Sequence, residues 1–133
     1  MNVDDTVGSS SGDRLSFVNH KGHDILVVDF SHCSAREMLA LMEQVRVLVA
    51  RHKPGTLLTL ADFNHAEIDK KVATRMKEVL TLDRPYVKRS AWVHAESVPH
   101  VFYENIKSFS QRDIPIFKTR EEAMNWLVSG SGS

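Results

Sequence analysis

Between Thr59 and Asp69 the chain reads TLADFNHAEID, which sets a carboxylate (Asp62), an amide (Asn64) and an imidazole (His65) within four positions. Such groups can exchange protons, ligate a divalent ion or hold an anion at a helix N-terminus. Two more histidines come after apolar runs in the same manner: His32 after DILVVDF and His94 after YVKRSAWV. Asp29, Glu96 and Cys33 lie beside them. Histidine with carboxylate suits zinc or a similar ion. None of the three has the tight H-x-x-x-H spacing of a helical metal site, so His32, His65 and His94 form a metal set only if the chain ends bring them together.

Each of these residues also has a plainer role. Asn64 and Glu67 have the spacing of a helix cap, which predicts a helix beginning at Asn64. Asp62 beside that start would complement the helix dipole. Cys33 sits near another predicted helix start, yet no cysteine-enzyme signature surrounds it. As the only cysteine, it excludes an internal disulfide and a cysteine-based zinc cage. His20 and His23 flank a turn and are expected in solvent. The basic group Lys70, Lys71, Arg75 and Lys77 falls off its helix's apolar stripe, as a solvated face does.

The elements that must position these groups are set by hydrophobic period. RLSFV (14–18) alternates as a short strand, NHKGH turns, and DILVVDF (24–30) is a β-branched run fit for burial on both faces. So short a link predicts an antiparallel hairpin. Ser34 and Glu37 form a capping box ahead of Met38, Leu41, Met42, Val45, Leu48 and Val49, a helical stripe stopped at Lys53-Pro54-Gly55. TLLTLAD (56–62) is the next strand, and after it comes a stripe of Ile68, Val72, Met76, Val79 and Leu80. YVKRSAWVH (86–94) alternates, with Val87, Ala91 and Val93 on one side and Lys88, Ser90 and Trp92 on the other. A helix over about 97–109, the strand IPIF, and a last helix capped by Thr119 and Glu122 complete the order β-β-α-β-α-β-α-β-α.

Alternation of this kind implies parallel pairing after the hairpin, with crossovers that put the helices on one face. The other face would then be only partly covered. Trp92 would lie there beside Lys88 as a dimer or ligand surface, or else in the core, while Trp126 belongs to the core.

Composition fits one soluble domain: 133 residues, with 17 basic and 17 acidic side chains. That balance offers no basic face for nucleic acid. No apolar run approaches the ~20 residues of a membrane span, and no leader pattern precedes the domain, so the cytoplasm is the expected compartment. The polar residues 1–13 read as a flexible arm, 14–128 as the domain and 129–133 as a tail.

The stretches HKGHDILVVDFS, LLTLADF, RPYVKRSAWV and IFKTREEAMNWLV resemble the SpoIIAA-like group, relatives of the STAS domains of anti-anti-sigma factors. The resemblance runs from about Leu15 to Val128. It implies an α/β fold of mixed, mostly parallel sheet with an N-terminal hairpin and four helices, and a non-enzymatic regulatory role. Anti-anti-sigma factors keep a phosphorylatable serine just after the third strand. Here Asp62-Phe63-Asn64-His65-Ala66 has no hydroxyl, so that switch cannot operate at this position.

The expectation is therefore a non-enzymatic, STAS-like protein-interaction module without a cofactor, acting on a protein partner or a second copy of itself. Its binding residues would be Asp62, Asn64, His65, His94 and Trp92. A second reading is a domain for a nucleotide, lipid or other apolar molecule at the strand ends or the open sheet face. A third is a metal-assisted hydrolase on His32, His65 and His94.

Overall fold

The computed structural model describes residues 14–129. The arm expected over 1–13 and the end of the expected tail, 130–133, lie outside the described residues. Among the described residues the fold is α/β, with a five-stranded mixed sheet and four α-helices.

Strands β1 (Leu15–His20) and β2 (His23–Asp29) form the predicted antiparallel hairpin. Its turn is set by Lys21 and Gly22, both at positive φ. Helix α1 (Ala35–Val49) then leads to β3 (Leu57–Asp62), helix α2 (Lys70–Asp83) to β4 (Val87–Val93), and helix α3 (His100–Ser110) to the short β5 (Ile116–Phe117). Helix α4 (Arg120–Ser129) closes the described chain, and so includes Ser129, which the sequence pattern assigns to the tail. Spatial order matches chain order, β1-β2-β3-β4-β5, and every pair after the hairpin is parallel.

Because each crossover steps to the neighbouring strand in the same direction, α1, α2 and α3 fall on one face. Their buried residues, among them Met38, Met42, Val72, Met76 and Ile106, pack with Leu26, Val28 and Trp92 of the sheet. The opposite face is less bare than expected. Among the described residues no strand comes after α4, so no crossover rule fixes its side. It lies under the sheet, with Ala123 and Leu127 against Ile25, Val27, Leu58, Leu60, Ala91 and Val93. Strand β2 is thereby buried on both faces, as its apolar run required.

Trp92 is 3% exposed and belongs to the three-helix face, not to an open surface. The expected partition of β4 failed at its start. The β3–β4 register shifts between Leu57 and Leu58, whose partners are Val87 and Arg89. This irregularity puts Val87 with the three-helix core, while Ala91 and Val93 face α4. Trp126 is only partly buried, under the guanidinium of Arg89 at 3.7 Å. His20 is not simply solvated: its Nε2 lies 2.7 Å from Asn125 Oδ1 and ties the hairpin to α4.

Candidate functional site

The C-terminal ends of β2, β3 and β4 form one rim, the usual place for function in parallel sheets. Asp29 and Asp62 stand side by side there in register. Each begins a nearly identical tetrapeptide, Asp29-Phe30-Ser31-His32 and Asp62-Phe63-Asn64-His65. Each aspartate Oδ1 accepts the backbone N–H two residues on, from Ser31 and from Asn64, both at 3.0 Å. Each turn is closed by an N–H to the phenylalanine carbonyl, from Cys33 at 3.1 Å and from Ala66 at 3.0 Å. Both histidines take the left-handed conformation, with φ 59° and 56°.

Two copies of one turn on adjacent strands stack their side chains. Phe30 lies on Phe63 with ring centroids 5.2 Å apart, inside the core. His32 lies on His65 at 5.1 Å, both exposed. The backbones are joined as well, by His32 N–H to the Asn64 carbonyl at 2.8 Å. The third histidine, His94, also has positive φ (53°) at the end of β4. A left-handed non-glycine residue costs about 1 kcal/mol or more, and histidine tolerates it better than most. Three in one row are therefore a built feature of this rim.

Asp62 anchors the row. Its side chain is buried, and besides Asn64 it accepts from His94 Nδ1 at 3.0 Å and Arg120 Nε at 2.9 Å. Burial alone would raise its pKa, but these donors outweigh burial and hold the carboxyl below the usual aspartate value. Arg120 also comes within 3.7 Å of Asp29. Since the carboxylate can only accept, His94 carries its proton on Nδ1 and turns Nε2 away.

The row does not converge as a metal site would. His32 and His65 pair with each other while His94 turns to Asp62. Among the described residues, no group of three or more His, Cys, Asp or Glu side chains is placed to hold a metal ion. Cys33 is 1% exposed, and burial pushes its thiol pKa up, against nucleophilic use. Trp92 stands apart from the rim surface, beneath it, tilted against Phe63 at 4.5 Å.

Asn64 is not the cap that its spacing predicted. Helix α2 begins further along the chain, with Asp69 capping through the Val72 N–H at 2.8 Å. Glu67 reaches instead to the first residue of α1, accepting from the Ala35 N–H at 3.2 Å. Two features escaped sequence reasoning. Arg120 gave no signal, because its partner is far away in the chain. The echo of D-F-S-H in D-F-N-H was there to be read.

No family model, curated protein or solved structure matches this chain.

Of the remaining candidates, the basic group of α2 is largely spoken for at Arg75. It pairs with Glu43 of α1 at 2.8 Å and Glu78 at 2.9 Å, bracing the two helices on the surface. Among the described residues no helix is long and apolar enough to cross a membrane.

Proposed function

We propose that this chain is a non-enzymatic, STAS-like regulatory module that binds a protein partner through the strand-end rim of His32, His65 and His94. The observation that carries this reading is the pair of exposed, left-handed histidines on successive strands. Glycine would take that conformation without steric strain, at a cost in chain entropy of similar size, so folding stability offers little reason for histidine there. Strained residues cluster at functional sites, and three left-handed histidines at one rim motivate the hypothesis of a contact site there. The commitment of Asp62 to three donors and the burial of Cys33 support a role in binding over acid–base or nucleophilic chemistry.

The rim is preorganised, which suits recognition: the Asx turns, the stacked phenylalanines below and the Asp62–Arg120 pair fix it before a partner arrives. A photo-crosslinking residue placed at position 65 tests this. It should give a discrete heterologous adduct in cells, while the same residue at Leu82, exposed on α2, should not. Equal labelling from both positions would remove the rim from consideration.

A further inference from the structure

Most strong ion pairs of the molecule match arginine with carboxylate, as at Arg75 and Arg120. The end of the sheet where β4 begins is different. A groove of about 340 Å³ there is lined by Arg84, Lys88, Arg89 and Arg112 against one carboxylate, Asp113. Its arginines donate to neutral acceptors. Arg84 meets Gln111 Oε1 at 3.1 Å, Arg89 meets the Trp126 carbonyl at 2.8 Å, and Arg112 meets Ser90 Oγ and the Leu80 carbonyl.

Behind the groove lies a cavity of about 60 Å³ between α1, α2 and the sheet. Val87, Ser90 and Arg112 line both spaces, so the Arg112–Ser90 contact stands between them. The cavity wall is chiefly apolar, including Val28, Met42, Leu60, Met76 and Val79. Its polar lining, Thr59, Asp83 and Ser90, lies with Arg112, and the two hydroxyls pair at 2.7 Å.

We propose that groove and cavity together bind a small anionic amphiphile, with a carboxylate or phosphate head on the groove cations and a short apolar tail in the cavity. Hydrogen bonds from guanidinium to an anion are roughly twice as strong as those to neutral acceptors, so an anion displaces Gln111 and Ser90 from their arginines. Release of Ser90 opens the way inward. Asp83 within the cavity repels an anion and keeps the head outside. The space equals about two water volumes, so about two carbons fit before Met42 and Met76, both adaptable side chains, must shift to admit a longer tail.

The chain's two tryptophans report the two compartments: Trp126 lines the groove and Trp92 the cavity. Titration of Trp126→Phe with acetate, butanoate, hexanoate, hexyl phosphate and hexylammonium, monitored by Trp92 emission, tests the site. Affinity should rise about fourfold per methylene among the short carboxylates, and hexylammonium should not bind. The stronger of hexanoate and hexyl phosphate identifies the head. Lys88→Glu, an exposed change, should weaken the better ligand about five- to tenfold without loss of fold. Amide shifts in the unaltered chain should map to Val28, Val79 and Arg112, which covers the case of a Trp126 variant that fails to fold. Equal binding of hexylammonium, no saturable response to either hexyl anion, or indifference to Lys88→Glu would overturn the proposal.

Discussion

Asp62 and Asp83 are both buried carboxylates, and they differ in almost everything that burial does not decide. Asp62, at the end of β3, has three donors within 3.0 Å and titrates below the ordinary aspartate range. Asp83, at the end of α2, has its pKa raised to about 6 by burial, which Arg112 and Arg46 only partly oppose. Arg46 is itself short of partners there, since its Nε is buried without one. One end of the sheet is electrostatically closed and holds the fold. The other is left open, and it borders the groove.

The largest effect should come from breaking the closed end. Asp62→Ala would strand Arg120 and His94 and undo the Asn64 turn. Because both partners are partly solvated, we expect a loss of about 2–3 kcal/mol in urea denaturation, short of the value for a fully buried pair. Asp62→Asn, which can still accept from Asn64, should lose less. A loss under ~0.5 kcal/mol for the alanine variant would mean that the network is ornamental.

The two ends should also oppose each other in pH. Asp83 binds its proton more tightly folded than unfolded, so its contribution is present below pH 3.8 and is lost as pH rises from there to about 6. The size is about 3 kcal/mol at most, and Asp83→Asn should flatten that part of the stability profile. Asp62 has the reverse sign: its contribution is full above the unfolded value and disappears as pH falls below about 3.8. Identical profiles for wild type and Asp83→Asn would erase the contrast.

The smallest effect is expected at the rim surface. His65→Gly relieves a left-handed residue at the cost of chain entropy, so stability should stay level or rise by about 0.5 kcal/mol. His65→Val should fall by about 1 kcal/mol or more, and thermal melts of the two variants suffice to compare them.

Local physics made much of the frame legible. The Ser34–Glu37 capping box formed as spaced, with reciprocal bonds of 2.8 and 3.2 Å, and Thr119 caps the last helix through the Glu122 N–H. Asn64 and Glu67 had equally good spacing and formed no box. Spacing reports which residues could meet, and here Asp62 had already claimed the Asn64 N–H while Glu67 found α1. Trp92 does alternate against Ala91 and Val93 as the pattern reads, but its face was hidden, since alternation does not say that those two meet α4 while Trp92 meets the three-helix core. Only Val87 was misplaced by the irregularity at the start of β4. Arg120 was hidden for a different reason, since its partners, Asp62 and Asp29, come from other elements of the fold.

The most direct test of the rim is a pair of double variants recovered from cells with whatever protein binds them. His32→Gly/His65→Gly should keep the fold, by melting temperature, and lose the partner. Lys88→Glu/Arg89→Gln, at the opposite end, should retain it. Partner recovery that survives the glycine pair and fails with the groove pair would contradict a binding role for the histidine rim.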